Sequence, residues 1–256
     1  MKRNFYTSKK IINSKISFGF FSKNGGISKL KYNSLNCSYS SDDKKNNVKK
    51  NIKIAEKKIN LEKRTLKIIN QIHSNKVILI NKNNLHKMHQ GDGIITKDKS
   101  ISIAVLTADC CPIFIFDDDA TFISCLHAGW KGCYLNIVDK AFQKIRKIQP
   151  NRNKINALIG PCLHKNNFNV DEKFRLKFVK KNNKYQKYFH VSRQKGKFLF
   201  NMRNLIKSQI RENKVKNIEN IDLDTYSNPN LFFSHRKSTH NGNNPTGRMI
   251  NIIGFN

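Results

Sequence analysis

The sequence predicts an α+β fold, with mixed, mainly antiparallel β-sheets flanked by helices, in one domain over residues 1–256. Three observations carry that expectation. Short apolar runs with strand character crowd the middle of the chain, separated only by brief polar breaks. A 3.6-residue apolar period then sets in after Gly132. Strand-like and helix-like segments mix without the regular alternation of a βαβ chain, and no repeat or Pro-, Gly- or Ser-rich linker divides them.

In chain order, the Lys- and Asn-rich stretch 43–60 reads as a solvated helix, and Val77-Ile78-Leu79-Ile80 as a strand. Ile101 to Leu106, Pro112 to Phe116 and Thr121 to Leu126 are three further strands, and the short turns between them predict antiparallel neighbours. Ile137, Val138, Ala141, Phe142, Ile145 and Ile148 fall on one helical face, which Pro150 ends because its ring lacks an N–H and clashes with the preceding turn. Ile155 to Ile159 is a strand stopped by Gly160-Pro161; 171–181 and 201–213 are amphipathic, 180–197 reads as a loop, and Met249 to Ile253 is the last strand. Gly91, Gly93, Gly129 and Gly132 are expected at backbone conformations that other residues cannot adopt.

Composition narrows the class. With 38% hydrophobic and 10% aromatic residues the chain is globular rather than disordered. No apolar run approaches the roughly 20 residues that span a bilayer. Met1-Lys2-Arg3-Asn4 is not followed by the apolar core of a signal peptide, so the expected location is the cytoplasm. Six Cys, two of them adjacent, lack the density of a secreted disulfide framework, and reduced thiols are expected. The 49 Lys and Arg against 17 Asp and Glu give a net charge of +32, which raises a basic nucleic-acid-binding module as one alternative. Between Gly91 and Trp130, however, six Asp oppose two Lys, a net −4. The chain also carries no helix-turn-helix, zinc-finger or RNP signature, so nucleic acid is not the expected partner.

Polar residues gather where the strands end: Gln71-Ile72-His73-Ser74, Thr107-Ala108-Asp109-Cys110 and Leu126-His127-Ala128-Gly129-Trp130. Imidazole nitrogen and thiolate sulfur are the donors zinc prefers, and a set of three leaves the open fourth position of a catalytic site. His73, Cys110 and His127 are therefore candidate metal ligands, although their spacing fits no local motif. Taken singly, each histidine also reads as a hydrogen-bonded structural residue, and Cys110 as a buried inert thiol. A thiol hydrolase using Cys110 with His127 is the enzyme rival. Eight His and no His-x-His pair support multicopper chemistry poorly.

Ordered blocks along the chain carry a resemblance. Phe18-Gly19-Phe20-Phe21-Ser22, Gly91-Asp92-Gly93-Ile94-Ile95-Thr96, His127-Ala128-Gly129-Trp130-Lys131-Gly132, Ile159-Gly160-Pro161-Cys162, Phe232-Phe233-Ser234-His235-Arg236 and Thr246-Gly247-Arg248-Met249 are the strongest. With them the chain resembles the bacterial YfiH/laccase-domain family, multifunctional purine nucleoside phosphorylases formerly called polyphenol oxidases. The resemblance implies a single α+β domain, a catalytic zinc on the residues matching His73, Cys110 and His127 (copper being the lesser alternative), and phosphorolysis of adenosine, inosine and methylthioadenosine. Adenosine deamination is a companion activity of the family. The chain departs from the family pattern at Lys131, where Arg is usual, at His235, where Tyr is usual, and at Asp224, where Cys is usual. The stretch 238–244 looks inserted.

The chemistry is coherent with these residues. Phosphorolysis needs a phosphate dianion beside C1′ and help for the departing purine; deamination needs an activated water at C6. Arg236 and Arg248 are the candidate binders of phosphate or ribose, and Asp109, next to Cys110, is the candidate for proton transfer or for orienting a ligand histidine. Against these stand a structural hydrogen bond for Asp109 and a surface salt bridge for Arg248. The expected partners are purine nucleosides and phosphate, with no membrane.

Overall fold

The computed structural model describes residues 4–242 and 245–256. Its strands are β1 (Phe5–Tyr6), β2 (Ile16–Phe21), β3 (Thr65–Ile68), β4 (Val77–Ile80), β5 (Gly93–Thr96), β6 (Ile101–Thr107), β7 (Cys111–Asp117), β8 (Ile123–Ala128), β9 (Ile155–Ile159), β10 (Asn169–Asp171), β11 (Phe189–Val191), β12 (Lys197–Phe200), β13 (Asn217–Asn220) and β14 (Met249–Phe255). Its helices are α1 (Lys45–Lys58), α2 (Trp130–Tyr134), α3 (Ile137–Ile148), α4 (Glu172–Lys181), α5 (Met202–Glu212) and α6 (His235–His240). Asn243 and Asn244, the end of the inserted-looking stretch, lie outside the described residues, as do Met1, Lys2 and Arg3.

Two large sheets, ordered β1-β2-β14-β6-β3 and β13-β9-β7-β8-β5-β4, stack on each other, and a small sheet β10-β12-β11 packs through Val170, Phe189 and Phe200 into the helical layer on the outer face of the second. The period of two along each strand builds the layers. Phe114 and Phe116 of β7 turn inward to meet Phe18 and Phe20 of β2 and Ile103 and Val105 of β6. Phe20 stacks on Phe114 with 4.3 Å between ring centroids. Ile113 and Ile115 turn outward, into a layer with Val138, Phe142 and Ile145 of α3 and Leu205 and Ile206 of α5. Ala104, Ile250 and Ile252 on the far face of the other sheet are covered by Val48, Ile52 and Ala55 of α1. The order is helix, sheet, sheet, helix, which is the expected α+β class. The pairings are mainly antiparallel, as expected. Parallel pairing brings in the edge strands β3, β4 and β13.

Helix α3 spans the predicted range and buries Ile137, Val138, Ala141, Phe142 and Ile145, each large side chain worth about 1.5–3 kcal/mol. Asn136, in the left-handed region at φ 55°, caps it by accepting from Asp139 N–H. Asp171 and Asn201 cap α4 and α5 in the same way.

Three expectations are corrected. Strands β6, β7 and β8 are not one run of neighbours: β7 pairs with β8 and β9, whereas β6 lies between β14 and β3 in the other sheet. Residues 180–197 are not a loop; after α4, a 3-10 helix at 183–188 leads into β11, whose Phe189 stacks on Phe200 of β12 at 4.8 Å. Gly91, Gly93, Gly129 and Gly132 are absent from the positive-φ residues. At Gly91 and Gly93 the constraint is space, since an added Cβ would lie 2.8 Å from the Lys76 carbonyl oxygen and 2.7 Å from Leu126 Cδ2 respectively.

Candidate metal centre

The site forms at the end of the sandwich where the chain passes from one large sheet to the other. Asp109 makes that passage with φ 81°, leaving Cys110 at the rim between β6 and β7. His127 is the penultimate residue of β8, and His73 sits in the loop after β3 with φ 56°. Gln71 fixes this loop to the end of β6, donating to the Leu106 carbonyl at 2.9 Å and accepting from Leu106 N–H at 2.7 Å.

Asp92, which the sequence reading did not single out, holds the two histidine segments together. Its buried carboxylate accepts from His73 N–H at 3.0 Å, Ser74 N–H at 2.5 Å and the Ser74 hydroxyl at 2.7 Å, and it contacts His127 Nδ1 at 2.8 Å. Burial pushes its pKa up, but these donors outweigh burial and hold it below the ordinary value. With Nδ1 so engaged, Nε2 is the ring nitrogen that His127 can offer to a metal.

One ligand atom from each of His73, Cys110 and His127 lies within 4.8 Å of the other two. The rings of His73 and His127 meet edge to face at 5.0 Å. Among the described residues this is the one such group of three His, Cys, Asp or Glu side chains. Gly129 makes room: a Cβ there would lie 2.8 Å from Cys110 Sγ and 3.3 Å from His73 Cδ2. Burial raises the Cys110 thiol, but the charge of His127 and hydrogen bonds from both histidines outweigh it and set the pKa at about 6. For His127, burial lowers the value, while the Cys110 charge and Asp92 carry it up to about 9. A metal here would displace the proton of His127 and take a thiolate and two imidazoles as donors, one imidazole oriented by a buried carboxylate, a set that fits a divalent metal of the zinc type.

Two clefts meet at this cluster. One, of ≈ 1130 Å³, is reached by Arg248; the other, of ≈ 460 Å³, is lined by Trp130, Phe168, Met202 and Arg236. His73, Ala108, Cys110 and His235 line both. The two predicted arginines therefore stand in different clefts that share the cluster. The Arg236 guanidinium donates to the Asn169 carbonyl at 3.1 Å and lies 5.2 Å from the Phe168 ring centroid. That of Arg248 donates to the carbonyls of Thr246 and Gly247 at 2.9 and 3.0 Å. Asp109 accepts from the Thr225 hydroxyl and from Arg236 N–H, both at 2.6 Å, yet burial leaves its carboxyl raised.

The departures separate by distance from this centre. His235 lies in it, its pKa lowered by burial and then by Arg248. Lys131 lines neither cleft, and its ammonium sits 5.7 Å from the Trp130 ring centroid. Asp224 accepts from His164 N–H at 2.9 Å and Asn167 Nδ2 at 2.5 Å, joining two loops. No described helix is long and apolar enough to cross a membrane.

The chain is 32% identical over 173 residues to a protein of Rickettsia prowazekii named purine nucleoside phosphorylase, covering 68% of this chain and 71% of that one. It is 28% identical over 254 residues to the purine nucleoside phosphorylase YlmD of Bacillus subtilis, covering 95% and 90%. The fold is shared with a crystal structure of a Neisseria meningitidis protein at TM-score 0.87 and 24% identity, covering 99% of this chain and 100% of that one. It is also shared with the Bacillus licheniformis protein YfiH at TM-score 0.85 and 24% identity, covering 94% and 93%. The family described as multi-copper polyphenol oxidoreductase laccase matches residues 17–256, and the chain belongs to it.

Proposed function

We propose that this chain is a zinc-dependent purine nucleoside phosphorylase acting on adenosine, inosine and methylthioadenosine, with adenosine deamination as a second activity, in one domain over 1–256. The observation that carries the reading is the two-histidine, one-thiolate donor set at the junction of two clefts, with an arginine in each. The names of the relatives support the reaction class. Among the described residues one three-donor group is present, which argues against a multicopper centre and supports a single zinc as the reading.

His73, Cys110 and His127 hold the metal, which supplies a Lewis acid and an activated water when bound. The remaining work falls to the chain's own side chains. Phosphorolysis breaks the bond between C1′ and the purine nitrogen, joins C1′ to a phosphate oxygen and requires a proton for the departing base. Asp109, whose carboxyl burial pushes above its ordinary value, is the residue beside the cluster that we assign to the proton transfer. Arg248, whose guanidinium bonds are to carbonyls of its own loop, retains donors for phosphate, and Arg236 sits in the cleft with Trp130 and Phe168, whose rings suit a base. We place the enzyme in the cytoplasm, a reading supported by its six unpaired cysteines.

The test is free base released from inosine or adenosine by metal-analysed protein, with and without phosphate. Release only with phosphate supports phosphorolysis; release equal in both refutes it. The low Cys110 thiol beside His127 favours a second reading, a thiol hydrolase. Metal analysis separates the two: about one zinc per chain, with loss of activity on chelation, supports the first.

A further inference from the structure

The larger cleft exceeds what a nucleoside fills. Its ≈ 1130 Å³ extend from the metal cluster along the edge strand β3 to Arg64. Helix α1 forms the opposite wall with Lys49, Ile52, Lys53 and Glu56, spaced three and four apart and so on one stripe. The middle of the cleft is apolar, with Ile52, Leu66 and Ile68, and its far end carries charges of both signs.

Glu56 is the unusual member of that end. Its side chain is 1% exposed, yet neither carboxylate oxygen accepts a hydrogen bond; its ion-pair partner is Lys53, at 3.0 Å and itself largely exposed. A buried carboxylate without an aligned donor is costly unless something supplies one. Arg64 donates through Nε to the Phe255 carbonyl at 3.0 Å, and neither it nor Lys49 forms an ion pair among the described residues. A phosphate at this end would meet Lys49, Lys53 and Arg64 but would be repelled by Glu56. An ammonium and a carboxylate on one short tail satisfy both signs together.

We propose that this cleft binds the zwitterionic tail of a 5′-substituted purine nucleoside, with the tail ammonium on Glu56, its carboxylate on Lys53 and Arg64, and its apolar linker along Ile52 and Ile68. The inference rests on the nucleoside reading and names a substrate class for it: adenosine 5′-thioethers that end in an α-amino acid.

Calorimetric titration of the zinc-loaded protein with S-adenosylhomocysteine, its N-acetyl derivative, methylthioadenosine and adenosine 5′-phosphate tests this directly. S-adenosylhomocysteine is expected to bind about tenfold more tightly than the N-acetyl form, and E56Q to abolish that preference. K53A is expected to weaken both amino-acid forms together. Equal affinity for the acetylated and free amines in the unmodified protein, or tighter binding of the 5′-phosphate, overturns the proposal whatever the fate of the variants. Methylthioadenosine turned over while S-adenosylhomocysteine fails to bind leaves the phosphorylase reading standing and removes this one. Binding of S-adenosylhomocysteine that depends on Glu56, without turnover of any nucleoside, does the reverse. Binding of none of the four removes both.

Discussion

Asp92 touches both histidine segments without being a donor to the metal, so its replacement tests how the centre is positioned. Asn in its place retains one acceptor but turns an NH₂ group towards Ser74 or His127. Asp92→Asn is expected to weaken zinc binding by about 10–100-fold and to lower stability by about 2 kcal/mol, measured by chelator competition and thermal unfolding. Unchanged zinc affinity would show that His127 needs no orienting partner. The three candidate ligands should separate. Cys110→Ala and His73→Ala are expected to lose zinc while remaining folded, because neither side chain is in the core. His127→Ala leaves the buried Asp92 carboxylate without its ring partner, and is expected to cost about 3 kcal/mol as well. Equal melting temperatures for all three variants would contradict this. The three clustered residues, His73, Cys110 and His127, were legible as strand-end polar residues; Asp92 was not. Gly91-Asp92-Gly93 reads as a turn, and only the fold brings its carboxylate under two segments that are 18 and 35 positions away in the chain.

At the scale of elements, apolar periodicity marked most segments correctly, and α3 was placed to the residue because Pro150 punctuates it. Sheet membership was not legible. β6 and β7 are three residues apart, yet they face each other across the sandwich, since apolar alternation records which faces are buried and not which strand lies alongside. The polar strand β13 had no strand signal, because its position follows from parallel pairing with β9. Loops answer to specific side chains. Asp224 joins the 164–167 loop to its own through His164 N–H, Asn167, Tyr226 N–H and Ser227 N–H. Burial works against its ionised form, but these donors win and its pKa is lowered. A depressed folded value contributes stability above the unfolded pKa of about 3.9 and loses it as pH falls through the folded value. Asp224→Asn should therefore be less stable by about 1–2 kcal/mol at neutral pH and lose less on acidification, as read from urea unfolding at neutral and acid pH. A parallel acid loss in both proteins would assign that dependence elsewhere. The two arginines, Arg236 in α6 and Arg248 just before β14, offer a second contrast. Arg248→Ala is expected to raise the phosphate KM about tenfold with deamination little changed, whereas Arg236→Ala, in the aromatic cleft, should weaken nucleoside in both reactions. Equal losses in the two variants and reactions would dismiss the phosphate role of Arg248.

Over the whole molecule, the +32 charge is spread unevenly about the candidate site. Four of the six acids of the central segment serve the framework: Asp92 bonds the histidine segments, Asp117 caps the turn at Thr121, and Asp118 and Asp119 pair with Lys216 and Lys154. Exposed lysines lie mostly elsewhere, and on α1 they fall into two sets. Lys49 and Lys53 line the larger cleft; Lys50, Lys57 and Lys58 are exposed and do not. Neutral nucleosides gain little from distant charge, which is screened beyond about 8 Å at physiological ionic strength. Reversal of Lys50, Lys57 and Lys58 to Glu together changes net charge by −6, yet inosine turnover should stay within about twofold of the unmodified chain, and stability should rise modestly as self-repulsion falls. Phosphate, an anion, should show the dependence that inosine lacks: its apparent KM rises with added salt in both proteins, and more steeply in the unmodified one. A tenfold loss of inosine turnover in the triple variant, about 1.4 kcal/mol in the barrier, would mean that the basic surface takes part in catalysis and that charge and site are not independent after all.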